Sequence, residues 1–199
     1  VEEANEEGLL AAGGDLTTER LLLGYQNGIF PWFNDDSLIL WWSPNPRMVL
    51  FPKNIKISKS MRKLIRDNSF RLTKNTCFEK VVEHCSTVNR EGQDGTWITK
   101  QIRKAYIELN QKGMAVSYEV WDGEMLVGGL YGVDLEGVFC GESMFSLKSN
   151  ASKFAFIKLA EELQAKKYRL IDCQMYTEHL ASLGAEEIPR KEFIKILKG

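Results

Sequence analysis

Asp122-Gly123 stands between two β-rich runs, residues 116–121 and 125–133, and a third run, residues 138–144, follows the turn at Gly137. An Asp-Gly pair in that setting is a strong hairpin signal, because the turn that matches strand twist needs positive φ at its centre. Consecutive strands joined by tight turns pair antiparallel. This meander fixes the middle of the chain, and the remaining segments have to cover it.

Residues 16–26 read as a short helix, with Thr17 as N-cap and Asn27-Gly28 as its stop. The segments Ile29-Phe30-Pro31-Trp32-Phe33 and Leu40-Trp41-Trp42-Ser43-Pro44-Asn45-Pro46 exclude long helices, since Pro31, Pro44 and Pro46 lack a backbone donor and fix φ. Together they predict a compact N-terminal domain over residues 1–45, followed by a larger one over residues 46–199. In the latter, residues 47–51 read as a strand. Ser58 caps a helix running to about Asp67. Thr76-Cys77-Phe78-Glu79 is a capping box with Phe78, Val81, Val82 and Cys85 at helical spacing behind it. Thr99 opens a helix closed by Gly113, and Asn150 or Ser152 opens a long one with Phe156, Leu159, Ala160 and Leu163 on one face. Residues 168–173 read as a strand, and two short helices follow, one before Gly184 and one after Pro189. The order predicts an α+β fold with a mainly antiparallel sheet. A length of 199 residues suits one domain with a small appendage, at about 150 residues per domain.

Hydrophobic residues at 44% and charged residues at 27% exclude disordered and fibrous classes. No apolar run approaches the roughly 18 residues of a membrane span, so no membrane partner is expected, and no basic-then-apolar segment opens the sequence as given. Four cysteines and two histidines are widely spread, with no C-x-x-C pair. Reduced thiols and no metal site are expected.

The net charge of −1 hides an uneven distribution. Residues 53–74 carry Lys53, Lys56, Lys59, Arg62, Lys63, Arg66, Arg71 and Lys74 against Asp67 alone. Scattered lysines usually make a solvated helix face. Here Lys59, Arg62, Lys63 and Arg66 recur at helical spacing with almost no compensating acid, which favours a phosphate-tracking face. Such a face positions nucleic acid without reading its sequence.

Two further segments could carry chemistry. Gly141-Glu142-Ser143-Met144-Phe145 ends a strand just before polar residues at a helix start; it is either a capped turn with a solvated Glu142 or a site for polarised oxygens. In Leu170-Ile171-Asp172-Cys173-Gln174, alternation places Asp172 and Gln174 on one strand face. A carboxylate and a carboxamide so placed can orient an amine or take its proton; the plainer alternative is an Asp that caps the next loop. Most tryptophans at such positions are core, but Trp97 on the Gly95-Thr96-Trp97-Ile98-Thr99 segment is placed to stack on a base or cap a pocket.

Several longer motifs resemble the leucyl/phenylalanyl-tRNA–protein transferase family. They are Gly8-Leu9-Leu10-Ala11-Ala12-Gly13-Gly14-Asp15-Leu16, Tyr25-Gln26-Asn27-Gly28-Ile29-Phe30-Pro31-Trp32-Phe33 and Trp41-Trp42-Ser43-Pro44-Asn45-Pro46-Arg47. Gly95-Thr96-Trp97-Ile98-Thr99, Phe139-Cys140-Gly141-Glu142-Ser143-Met144-Phe145-Ser146 and Asn150-Ala151-Ser152-Lys153 continue the match. Leu170-Ile171-Asp172-Cys173-Gln174 and His179-Leu180-Ala181-Ser182-Leu183-Gly184-Ala185 complete it, in order over nearly the whole chain. The resemblance implies a small N-terminal domain on a C-terminal domain like the Gcn5-related acetyltransferases. It implies a monomeric bacterial cytoplasmic enzyme that moves leucine or phenylalanine, methionine less well, from aminoacyl-tRNA to the α-amine of proteins or peptides beginning with arginine or lysine. The product is a degradation signal of the N-end rule pathway. No cofactor or metal is implied.

By position, the resemblance places Trp32 and Trp97 near the terminal adenosine of the tRNA. Leu130, Phe139, Leu159, Leu163 and Ile171 fall where the family lines its amino-acid pocket; several members have methionine at the first and phenylalanine at the third and fourth. Glu142, Asp172 and Gln174 fall on the catalytic centre, and Lys59, Arg62, Lys63 and Arg66 on the tRNA-binding cluster. The expectation is that Asp172, through Gln174, orients the acceptor amine and draws off its proton, while Glu142 holds the aminoacyl-adenosine or the cationic acceptor end. An acetyl-CoA-dependent acetyltransferase is disfavoured, because residues 146–153 contain no glycine to cradle a pyrophosphate. A non-catalytic RNA-binding module would keep the basic face but tolerate loss of Asp172 and Gln174.

Overall fold

The computed structural model describes residues 1–34, 38–87 and 97–199. β1 (Leu9–Ala12), α1 (Thr18–Gln26), β2 (Phe30–Pro31) and β3 (Leu40–Trp42) form the N-terminal part, a small antiparallel sheet in the order β1-β3-β2 with one helix. The Thr17 side chain accepts the Arg20 amide, so α1 starts at Thr18 rather than at Leu16. The aromatic-proline segments become short strands, tied by indole donors: Trp41 Nε1 to the Gly13 carbonyl at 2.9 Å and Trp42 Nε1 to the Trp32 carbonyl at 2.6 Å.

The larger sheet contains β4 (Arg47–Leu50), β5 (Arg71–Lys74), β6 (Ala115–Asp122), β7 (Met125–Asp134), β8 (Val138–Ser146), β9 (Leu170–Gln174) and β10 (Glu186–Ile188). Its order is β10-β4-β9-β8-β7-β6-β5, and every neighbouring pair is antiparallel except β8–β9. The fold is therefore α+β with a mainly antiparallel sheet. The expected hairpin is present, with Asp122 paired to Met125 and Gly123 at φ +57°. Sequence reading missed β1, β5 and β10. These are three- or four-residue outer strands, and β5 has exposed Arg71 and Lys74 at its ends, so no apolar alternation marks them.

The helices are α2 (Lys59–Arg66), α3 (Phe78–Thr87), α4 (Lys100–Gln111), α5 (Ala151–Ala165), α6 (Glu178–Ser182) and α7 (Arg190–Lys198). Side chains alternate across the strands, and each face has its own core. Tyr131 and Cys140 pack with Leu21, Tyr25, Val81, Tyr106 and Phe193 from α1, α3, α4 and α7. Leu130 and Phe139 point the other way, to Met61, Phe156, Leu159, Leu163 and Leu180 from α2, α5 and α6. Each such leucine or phenylalanine contributes roughly 1.5–3 kcal/mol by leaving water. α5 sits hard on β7: a Cβ at Gly128 would lie 2.5 Å from that of Ala151, so only glycine allows this approach. Asn150, at φ +70°, precedes α5 in a left-handed conformation that asparagine tolerates. No helix of the described residues is long and apolar enough to cross a membrane.

Candidate active site

The parallel pairing of β8 with β9 runs from Val138–Leu170 to Cys140–Asp172 and ends there. Beyond that point a cavity of about 640 Å³ opens, lined by residues 141–146 of β8 and by Cys173, Gln174 and the turn that follows. Parallel strands that part at their carboxyl ends are a common place for ligands in sheets of this kind.

Across the opening, Gln174 Nε2 donates to Glu142 Oε1 at 2.9 Å, so a side-chain bond continues where the backbone ladder stops. Tyr106 donates its hydroxyl to Glu142 Oε2 at 2.7 Å, and the Tyr25 hydroxyl touches that of Tyr106. Glu142 is 8 % exposed. Burial pushes its carboxyl up to about 7, the Asp172 charge adds to the rise, and the Tyr106, Tyr25 and Gln174 donors oppose it. Burial beside this carboxyl also pushes both phenols above the ordinary tyrosine range. A cavity carboxyl that titrates near neutrality can exchange protons with a substrate.

Asp172 lies behind this pair and does not line the cavity. Arg47 Nε and Nη2 donate to its two oxygens at 2.8 and 2.7 Å, and both side chains are 1 % exposed. The guanidinium is held between the rings of Phe30 and Phe193, 4.8 and 4.6 Å from their centroids. Asp172 Oδ1 also accepts the Gln174 backbone N–H at 3.0 Å. Gln174 has φ +65° and centres a three-residue turn closed by the Met175 amide on the Cys173 carbonyl at 2.8 Å. A non-glycine residue in that region costs on the order of 1–3 kcal/mol and persists only where its surroundings hold it. Asp172 supplies part of that hold. A direct proton-accepting role for Asp172 through the Gln174 side chain does not fit this arrangement, because Arg47 and the Gln174 amide occupy its oxygens.

The apolar wall consists of Leu130 and Phe139 from the sheet and Phe156 and Leu159 from α5. Leu163 and Ile171 are buried and stand back from the cavity: Ile171 is paired with Phe139, and Leu163 lies one turn beyond Leu159. Trp32 and Trp97 line the cavity from the other side, Trp32 edge-on to Trp42 with centroids 5.6 Å apart. Gly95 and Thr96 lie outside the described residues. Lys59, Arg62, Lys63 and Arg66 are exposed along α2, whose buried Met61 anchors it, and Arg66 contacts Asp67 at 3.3 Å. These four residues do not line the cavity. Among the described residues no three His, Cys, Asp or Glu side chains converge as metal ligands would.

Sequence reading gave no role to Arg47, Tyr25, Tyr106, Phe156 or His179, of which Phe156 and His179 line the cavity. One signal was available. Arg47 and Asp172 each put a lone charge into an otherwise apolar strand, and buried charges need partners.

Two family models match the chain. One, described as leucyl/phenylalanyl-tRNA protein transferase, covers residues 49–198; its N-terminal-domain counterpart covers residues 14–45. The chain is 61% identical to the leucyl/phenylalanyl-tRNA–protein transferase of Christiangramia forsetii, over 98% of this chain and 92% of that protein. It is 58% identical to the protein of the same name from Flavobacterium johnsoniae, over 100% of this chain and 93% of that protein. Among solved structures it is loosely similar to a GCN5-related N-acetyltransferase from Kribbella flavida, with TM-score 0.43, 9% identity and 85% and 60% of the two chains covered.

Proposed function

The chain belongs to the leucyl/phenylalanyl-tRNA–protein transferase family, and from that premise we propose that the cavity joins the aminoacyl group of a tRNA to the N-terminal amine of a protein. The observation that carries this reading is the meeting of a near-neutral carboxyl, Glu142, with an apolar wall at the mouth of the parted strands. The donor side chain, leucine or phenylalanine and less readily methionine, lies against Leu130, Phe139, Phe156 and Leu159. Leu163 and Ile171 support that wall from behind. Trp32 and Trp97 offer aromatic surface to the terminal adenine. The exposed cations of α2 meet the tRNA phosphates, which fix its position without reading its bases.

The donor ester is already activated, so the work of the site is placement and proton transfer. The neutral acceptor amine attacks the ester carbonyl. The new C–N bond forms as the amine gives one proton to Glu142; the ester C–O bond then breaks, and Glu142 returns that proton to the departing ribose oxygen, which leaves as a hydroxyl. Gln174 holds Glu142 in orientation, and Asp172, fixed by Arg47, holds the turn that carries Gln174. Asp172 therefore acts as a positioning residue. Acceptors beginning with arginine or lysine, a product that signals degradation, action as a monomer and a cytoplasmic setting are supported by the family resemblance. The test is transfer of radiolabelled phenylalanine from charged tRNA to a peptide beginning with arginine, without ATP or CoA, with a peptide beginning with alanine as control. Label on the arginine peptide alone is expected. No label despite tRNA binding would overturn the reading.

A further inference from the structure

Met175 and Tyr176 follow Gln174 directly and line the same cavity, yet they are 43 % and 55 % exposed. Large apolar side chains on a surface usually stand singly; adjacent ones at the rim of a site mark a contact surface. The Gln174 turn accounts for their exposure. Its left-handed residue ends β9, and the Met175 amide closes on the Cys173 carbonyl, so the strand stops and the next two side chains stay out of the core. Thr177 then caps α6, its hydroxyl accepting the Leu180 amide at 3.2 Å, which fixes the far end of the segment. The two apolar side chains are thus carried on a short piece of chain held at both ends.

The indoles and the apolar wall are taken by the base and the side chain of the donor, and the Glu142–Gln174 pair meets the acceptor amine. Met175 and Tyr176 are the exposed wall next to that pair. Consecutive Cα atoms are about 3.8 Å apart in any trans polypeptide, so an acceptor with its first residue at Gln174 brings its second within reach of this wall. A thioether adapts to side chains of varied shape, and a phenol ring offers a flat apolar face. Glu178, exposed two residues on, puts a carboxylate beside this surface, which disfavours an RNA phosphate and leaves a neutral peptide unaffected. We propose that Met175 and Tyr176 hold the second residue of the acceptor polypeptide and favour an apolar side chain there. This rests on the reading of the cavity given above.

The experiment compares kcat/KM for transfer of phenylalanine to two peptides, Arg-Phe-Gly-Gly and Arg-Gly-Gly-Gly. The wild-type protein should prefer the first by about tenfold, the scale of one partly covered apolar side chain. In the double variant Met175→Ser, Tyr176→Ser the ratio should fall to near one, and Tyr176→Phe, which keeps the ring, should preserve it. Both positions are exposed, so the core is not disturbed. Equal use of the two peptides by the wild-type protein, or a preference that survives the double substitution, overturns the assignment. So does a double variant whose KM for charged tRNA rises while the peptide ratio stays, since the surface then belongs to the RNA. If the wild-type protein binds charged tRNA and labels neither peptide, the reading of the cavity itself falls, and this inference with it.

Discussion

Arg47 grips both carboxylate oxygens of Asp172, at 2.8 and 2.7 Å, across 125 residues of sequence. The pair joins β4 to β9 immediately behind the cavity and is sealed by Phe30 on one side and Phe193 on the other. Its two charges are out of water, so each depends on the other.

Removing one partner strands a buried charge. Asp172→Ala or Arg47→Met should each destabilise the fold by about 3–5 kcal/mol, read from chemical denaturation. The double substitution should cost less than the sum of the singles, because neither charge is then left alone. Unchanged denaturation midpoints in the single variants would contradict this account of the pair.

Glu142 makes both rate and stability depend on pH. Its folded pKa, about 7, lies above the ordinary 4.5, so the folded protein holds this proton more tightly than the unfolded chain does. That stabilisation is whole below pH 4.5 and is lost as pH rises through about 7. The loss should amount to about 3 kcal/mol, and Glu142→Gln should flatten this part of the stability profile. Only the ionised carboxylate accepts the amine proton, so transfer should slow as pH falls below about 7. Glu142→Gln should lower the single-turnover rate by about 10²–10⁴-fold and remove the Glu142 component of that acid limb.

Phe156 stands in the apolar wall beside Leu130, Phe139 and Leu159. Phe156→Leu enlarges the space and should raise the phenylalanine-to-leucine ratio of kcat/KM by about tenfold, the scale of a methylene-sized change. Leu159→Phe should shift it the opposite way. Competition assays with both charged tRNAs measure the ratio directly.

Lys59, Arg62 and Lys63 are exposed on α2, away from the cavity. Replacing all three by glutamine should weaken tRNA affinity and flatten its dependence on salt, by about 0.7–0.9 in log–log slope for each phosphate no longer neutralised. Affinity for a small aminoacyl-adenosine analogue should not change. A fall in both affinities would place these cations in the cavity's own support.

The meander was legible because its signals are local: Asp122-Gly123 and the apolar runs beside it lie within a few residues of one another. Helix starts were legible for the same reason, with Thr17, Ser58 and Thr99 each bonding an amide three residues on. The Glu142–Gln174 contact was half legible: alternation put Asp172 and Gln174 on one face, and the register that brings Glu142 opposite Gln174 comes from the sheet. What escaped depends on distant partners. Nothing near Tyr106 in sequence announces Tyr25 or Glu142. Phe156 reads as core on its helix, and only the parting of β8 from β9 makes it a wall residue.

Phe193 packs on the Arg47 guanidinium from α7, which the ribosome makes after every other element described. Without that ring the guanidinium would be wet on one side, where water competes for Asp172 and loosens the turn under Gln174. A helix that contributes no residue to the cavity lining thereby governs how firmly the Glu142–Gln174 pair is held.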